Sequence, residues 1–188
     1  MNIKTSTLLT LAIAAIFAIS SCSKIKEATQ RDISISPEGV DFIIPIVNTT
    51  TEGSAMGTVG PIAMNLDAMI KEKASQFGVS NIKNIRITGI KIVLKDADEK
   101  SHVGNLEKIT AKVKANGQEE VIVASANQPN SEAVVNELII PITNGGVELK
   151  NYLTSSSLTY QLTGKARRVT EKPLNARANF TYTFTVGL

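Results

Sequence analysis

The chain has one histidine, one cysteine and no tryptophan. A lone cysteine forms no disulfide within the chain, and an unpaired cysteine in an exported protein requires an explanation. A Ser–His–Asp site would depend on His102, and neither a nucleophile-elbow motif nor a phosphate-binding Gly-rich loop is present. The lack of tryptophan lowers the expectation of a sugar-binding platform, which usually presents large aromatic faces. These absences favour a non-enzymatic protein.

Neither sign of charge dominates the chain. Lys and Arg number 20 and Asp and Glu number 17. Residues 1–21 contain one lysine and no acidic residue, so residues 22–188 carry 19 basic and 17 acidic side chains. This near balance argues against nucleic acid as a partner.

The first 21 residues have the three-part layout of an export signal. Lys4 supplies a positive charge, residues 8–19 form an apolar run of 12 residues, and the small residues Ser20 and Ser21 follow. A helix needs ~20 apolar residues to cross the ~30 Å hydrocarbon layer of a bilayer. The run is therefore better explained as a cleaved leader than as a permanent membrane span.

Ile19-Ser20-Ser21-Cys22 resembles the lipobox of bacterial lipoprotein precursors, with an aliphatic residue, two small residues and a cysteine. The resemblance implies that the Cys22 thiol receives a diacylglyceryl group, that a peptidase cleaves before Cys22, and that the new amine is acylated, with palmitate as a typical chain. An ordinary secretory leader followed by an unpaired cysteine is the alternative. Two or three acyl chains anchor a protein stably, whereas a single chain does not.

The resemblance also implies a domain organisation and a location. Residues 1–21 are expected to be the signal peptide, residues 22–30 the lipidated N-terminus and tether, and residues 31–188 a single domain. Removing 21 residues from 188 leaves 167, which suits one domain. Position 23 is serine and not the aspartate that favours inner-membrane retention, so an outer-membrane location in the bacterial envelope is expected. Whether the protein faces the periplasm or the cell surface stays open.

The mature chain shows about eight short alternating strand patterns and one convincing helix. The clearest strand covers residues 178–186, where apolar residues alternate with Asn179 and three threonines. Many short strands separated by turns are typical of an antiparallel sandwich or barrel. We predict a mainly β fold, a two-sheet sandwich that is immunoglobulin-like in the loose sense, with one packed helix. A lipocalin-like barrel is the alternative. The domain resembles small uncharacterised β-sandwich lipoproteins, a resemblance that assigns no residue roles.

Local patterns give more specific expectations. Apolar spacing predicts a helix over residues 65–77, capped by Asn65 and stopped by a left-handed Gly78. Pro45 predicts an edge strand or a bulge, and Thr88-Gly89 predicts a bulge. Residues 48–61, rich in Thr, Gly and Ser, predict a long loop, and residues 171–175 predict a hairpin turn between the last two strands.

A further hairpin is expected across Asn116-Gly117. Two registers are possible: a two-residue loop sets Val113 against Glu120, and a three-residue loop sets Ala111 against Val121. The second is preferred because it keeps apolar residues together and pairs Lys112 with Glu120, with Gly117 at positive φ.

Three places could carry chemistry. Asp96, Asp98 and Glu99 are weak candidates for calcium, because they lack the regular ligand spacing of a known loop. Lys165, Arg167, Arg168 and Lys172 are weak candidates for contact with an anionic surface. His102 is expected to be a solvated loop residue.

Three functional hypotheses follow. The favoured one is a lipid-anchored envelope protein whose β domain binds a protein or polymer, or supports an assembly, without a cofactor other than the covalent lipid on Cys22. The second is a carrier of an apolar ligand or lipid between two sheets. The third is a hydrolase with an unrecognised site, for which His102 and Asp98 would be tested.

Overall fold

The computed structural model describes residues 30–154 and 158–188. The predicted leader, Cys22 and nearly all of the predicted tether lie outside the described residues. Of the predicted tether, only Gln30 is described, as the first residue of the first strand. Among the helices of the described residues, none is long and apolar enough to cross a membrane.

The described residues form nine strands and two α-helices. The strands are β1 Gln30–Ile35, β2 Val40–Ile44, β3 Ser54–Val59, β4 Ile82–Leu94, β5 Leu106–Lys114, β6 Val121–Asn127, β7 Glu137–Ile140, β8 Thr159–Ala166 and β9 Leu174–Gly187; the helices are α1 Leu66–Lys73 and α2 Lys150–Leu153. Three short 3₁₀ turns cover Val79–Asn81, Val103–Asn105 and Thr143–Gly145.

The strands make two antiparallel sheets packed face to face, which confirms the predicted sandwich over the barrel. Sheet A has the order β1-β9-β4-β7, and sheet B has the order β3-β8-β5-β6. In sheet A, β2 also pairs with β9: β1 lies along residues 182–187 and β2 along residues 174–178. The long strands β4 and β9 therefore form the centre of sheet A.

The core forms because alternate strand residues face the opposite sheet. In β9, Ala178, Phe180, Tyr182, Phe184 and Val186 are buried while the intervening residues are partly exposed, as predicted. Full burial of a Phe or Val side chain among them contributes roughly 1.5–3 kcal/mol.

Most local predictions for sheet A are confirmed. Pro45 directly follows β2, whose only ladder partner among the described strands is β9, as expected of an edge strand. The register of β4 against β9 shifts between Ile87 and Gly89, which is the predicted bulge.

The predicted helix is correct at its start and too long at its end. The Asn65 side chain accepts a hydrogen bond from the Ala68 N–H at 3.1 Å, as predicted for a cap. The helix ends at Lys73, because Ala74 leaves helical geometry with φ −154°. The prediction of a left-handed Gly78 was wrong, since its φ is −136°.

The prediction of a loop over residues 48–61 was wrong, because β3 lies within it. Met56 and Val59 of this strand are buried. A bulge between Ala55 and Gly57 shifts the pairing with β8. The bulge interrupts the two-residue alternation, so the strand pattern is hidden in the sequence.

The prediction that residues 171–175 form a hairpin turn was also wrong. The strands on either side, β8 and β9, belong to different sheets, and Leu174 and Asn175 are already part of β9. This connection therefore passes from sheet B to sheet A.

The β5–β6 hairpin exists, but neither predicted register is correct. Val113 pairs with Val121 and Ala111 with Ala124, because a bulge leaves Val123 without a partner on β5. The bulge buries Val123 and Ala124 together, which a regular register would not do.

Two details of this hairpin are confirmed. Gly117 has a φ of +74°, and Lys112 Nζ lies 2.8 Å from Glu120 Oε1.

Candidate functional site

The predicted candidate residues meet at one end of the sandwich. Here the β4–β5 connection, residues 95–105, lies against the β8–β9 connection, residues 167–173. Lys172 Nζ lies 2.7 Å from Asp98 Oδ2, and the Glu171 N–H donates to Ser101 Oγ at 3.1 Å. We call these two connections the loop end.

The three acidic candidates at the loop end do not converge on one point. Asp96 accepts hydrogen bonds from the Asn175 backbone N–H and side-chain amide at 2.9 and 2.7 Å. Asp98 accepts hydrogen bonds from the backbone N–H groups of Lys100 and Ser101 at 3.0 and 2.8 Å. Within residues 30–154 and 158–188, no group of three or more His, Cys, Asp or Glu side chains could hold a metal ion.

The ion pair between Asp98 and Lys172 changes the acidity of both groups. The hydrogen bond from Lys172, together with the backbone N–H donors, lowers the pKa of the Asp98 carboxyl. The same hydrogen bond raises the pKa of Lys172. Both shifts favour the charged forms, so the pair holds the two connections together at neutral pH.

The four basic candidates are already engaged by the protein. Lys165 Nζ lies 2.8 Å from Glu107, and Arg168 Nη1 lies 2.8 Å from Glu132. Arg167 donates to the backbone carbonyls of residues 106 and 128 at 2.7 and 2.8 Å. An anionic surface would have to compete with these partners for the cluster.

His102 is buried, so the prediction that it is solvated was wrong. It is 2% exposed. Its Nδ1 accepts hydrogen bonds from the backbone N–H groups of Gly104 at 3.1 Å and Val135 at 3.4 Å. An accepting Nδ1 carries no proton, which places the proton of the neutral ring on Nε2. The imidazole thus links the loop end to the segment before β7.

Gly104 allows the chain to pass close to His102. A Cβ at this position would lie 2.6 Å from Cε1 of the histidine ring and 2.8 Å from the Ser131 carbonyl oxygen. A larger residue would push the ring out of its hydrogen bonds.

Asn105 completes the buried polar cluster at the loop end. Its Nδ2 donates to the Lys100 backbone carbonyl at 2.6 Å. The backbone carbonyl of Asn105 accepts hydrogen bonds from the backbone N–H groups of Arg167 and Arg168. Its Oδ1 is buried without a hydrogen-bond partner among the described residues. These contacts are structural: they tie the two connections to each other.

An apolar cavity lies between the sheets beside His102. It is lined mainly by aliphatic side chains, including Ile44, Met56, Ile92 and Leu138, and it has a free volume of about 10 Å³. That is room for about one water molecule. An acyl chain would fit in this cavity only if the sheets moved apart.

A second polar region lies on the outer face of sheet A, and the sequence patterns do not predict it. Asn84 and Arg86 of β4 lie there with Thr183 and Thr185 of β9 and Asp32 of β1. The alternation in β4 and β9 shows that these positions face outward. It does not show which strands are neighbours, so the residues could not be brought together from the sequence.

The chain matches no protein-family model and no curated protein. Solved structures that are similar include viral capsid proteins. Those of infectious bursal disease virus strain Gx and of the VP2 subviral particle of that virus are 15% and 13% identical, each with a TM-score of 0.35 over 84% of this chain. This chain covers 32% and 33% of their lengths. The Triatoma virus empty capsid is 11% identical, with a TM-score of 0.34, 84% of this chain covered and 90% of that chain. Similarity at this level carries no functional argument.

Proposed function

We propose that this protein is a lipid-anchored lipoprotein of the bacterial envelope, with the outer membrane as its location. Its β sandwich binds another protein or a polymer, or supports an assembly, and carries out no catalysis. The observation that carries the proposal is the motif Ile19-Ser20-Ser21-Cys22 directly after a basic residue and an apolar run. Lipidation also explains why the chain has a single cysteine.

The position of the first strand is compatible with an anchored domain. The first strand begins at Gln30, eight residues after Cys22. Eight extended residues span at most about 29 Å, so the domain would sit close to the lipid headgroups. An anchor at Cys22 places the start of β1 at the membrane side of the sandwich.

The structure gives less support to the two other hypotheses. The inter-sheet cavity of about 10 Å³ has no room for an acyl chain, which a lipid carrier would need. The hydrogen bonds of His102 within the described residues join it to backbone N–H groups and not to a serine hydroxyl, which a Ser–His hydrolase would need.

The test is metabolic labelling with palmitate in a bacterium that expresses the full chain, followed by membrane fractionation. The wild-type protein is expected to carry label and to sediment with membranes. Cys22→Ser should carry no label and leave the membrane fraction, because serine offers no thiol for the thioether. Ser23→Ala, which leaves the motif intact, is the matched control and should behave as wild type. Label retained by Cys22→Ser would contradict the proposal.

A further inference from the structure

A polar groove crosses the outer face of sheet A on the side opposite the core. It has a volume of about 300 Å³, and the turn at Gly145 forms part of its rim. Its other lining residues come from three adjacent strands: Asp32, Asn84, Arg86, Thr88, Thr183 and Thr185.

The strand register places these side chains in two rows. Asp32 of β1 pairs with Thr185 of β9, and Thr185 pairs with Asn84 of β4. A carboxylate, a hydroxyl and an amide thus lie side by side across the sheet. Hydrogen-bond acceptors dominate this first row.

The second row lies two residues further along each strand and contains the cation. Thr183 of β9 pairs with Arg86 of β4. The two rows are separated by two residues of strand, about 6.6–6.8 Å. One side of the groove therefore offers acceptors, and the other offers a guanidinium group.

The polar groups of the groove satisfy one another only in part. Asn84 Oδ1 is buried and has no hydrogen-bond partner within the described residues. Asp32 accepts one hydrogen bond, from the Thr185 hydroxyl at 2.6 Å. Asp32 and Arg86 have opposite charges and line the same groove, yet neither forms a salt bridge among the described residues. Buried acceptors without partners are uncommon in folded proteins, which points to a donor supplied from outside.

A ligand that satisfies both rows needs hydrogen-bond donors at one end and an anion at the other. A primary ammonium group offers three donors, which suits Asp32 and Asn84, and a carboxylate suits the planar guanidinium of Arg86. The lining residues include no aromatic ring on which a sugar could stack. Two extended peptide residues span about 6.6–7.2 Å, which matches the separation of the rows.

We propose that this groove binds the zwitterionic form of a dipeptide, with its ammonium group at Asp32 and Asn84 and its carboxylate at Arg86. The site does not depend on the lipid anchor, because all of its polar side chains come from β1, β4 and β9. It adds a small-ligand site to the domain, separate from the binding of a protein or polymer proposed above.

The experiment is calorimetric titration of the full-length protein, extracted in detergent, with L-alanyl-L-alanine. Saturable binding with one site per chain is expected. N-acetylation or C-terminal amidation of the dipeptide should each weaken binding about tenfold or more, because each removes one charge-assisted contact. Free L-alanine should also bind more weakly, because it is too short to reach both rows.

Variants of the groove provide the second arm of the test. Arg86→Gln and Asp32→Asn are expected to weaken binding of the dipeptide about tenfold or more, with unchanged circular dichroism. Lys83→Gln removes an exposed cation from the same strand outside the groove, and it should leave the affinity unchanged. No binding of the dipeptide, or equal affinity for the acetylated dipeptide, would overturn the proposal. So would equal affinity in Arg86→Gln, or affinity for L-alanine as high as for the dipeptide.

Discussion

The imidazole of His102 joins two loops because its Nδ1 accepts hydrogen bonds from two backbone N–H groups inside the protein. These donors belong to Gly104 and Val135, at 3.1 and 3.4 Å. Because the histidine is 2% exposed, the imidazole and not a water molecule is the acceptor for these two N–H groups. The role of the residue is therefore that of a fixed acceptor.

Replacing His102 should destabilise the fold according to whether an acceptor remains. We expect His102→Leu to lower the free energy of unfolding by about 1–3 kcal/mol, because a buried N–H without a partner costs that amount. His102→Asn should lose less, since the amide oxygen can take a position close to that of Nδ1. Urea unfolding of both variants measures the difference. Equal stability of the two variants would contradict this role for Nδ1.

Asp98 predicts a pH dependence of stability. Folding lowers the pKa of this carboxyl below its ordinary value of 3.8, chiefly through the hydrogen bond from Lys172. Its charge therefore stabilises the folded state above the unfolded-chain pKa, and this stabilisation is lost as the pH falls through the lower folded-state pKa.

Asp98→Asn tests the effect of the charge alone, because it removes the charge while the amide oxygen can still accept hydrogen bonds from the backbone N–H groups. The variant is expected to be less stable than wild type at pH 7, and the difference should shrink as the pH falls from 4 towards 2. Thermal unfolding across this range checks it. A stability difference that does not change with pH would show that the carboxylate charge is not the cause.

At the scale of elements, one hydrogen bond between two tyrosines connects the sheets. Tyr160 of β8 and Tyr182 of β9 are buried, and their hydroxyl oxygens lie 2.9 Å apart. Burial raises the pKa of both hydroxyls, so both stay neutral and one donates to the other. Tyr160 also stacks on Phe180, with ring centroids 4.3 Å apart. The rings hold β8 of sheet B against β9 of sheet A.

A double-mutant cycle tests this link. Tyr160→Phe and Tyr182→Phe should each cost about 1–3 kcal/mol of unfolding free energy, because each leaves one buried hydroxyl without a partner. The double variant should cost clearly less than the sum, since it leaves no orphaned hydroxyl. Chemical denaturation of the four proteins measures the coupling. Strictly additive losses would mean that the hydroxyls do not depend on each other.

The elements that the sequence predicts well are those with unbroken alternation. β9 is correct because nothing interrupts the pattern from Ala178 to Val186. β3 was missed because the bulge between Ala55 and Gly57 breaks the period. The sheet change between β8 and β9 was missed because alternation shows which residues face inward but not which sheet they belong to.

The candidate site follows the same rule. The sequence indicates both Asp98 and Lys172 as candidates, but it does not predict their contact, because they lie on separate connections. The burial of His102 involves Val135, whose N–H donates to its Nδ1 from 33 residues further along the chain. The local sequence of a short polar segment does not show that residues distant in the chain will bury it.

At the scale of the whole molecule, the two ends of the sandwich are clearly separated. β4 has 13 residues, so sheet A is about 40 Å long along this strand. Gln30 pairs with Gly187, and Ile82 with Val186, at one end, whereas Leu94 pairs with Ala176 at the other. Under the proposed anchoring, the loop end points away from the membrane. The groove of Asp32 and Arg86 lies nearer to the membrane than the loop end does.

The central claim is that the mature chain begins at a lipid-modified Cys22. Intact-mass spectrometry of the protein extracted from bacterial membranes tests this most directly. We predict the mass of residues 22–188 plus a diacylglyceryl group and one further acyl chain, and we expect these groups on the N-terminal proteolytic peptide. A mass equal to the bare polypeptide, or a chain that begins at any residue other than Cys22, would contradict the account.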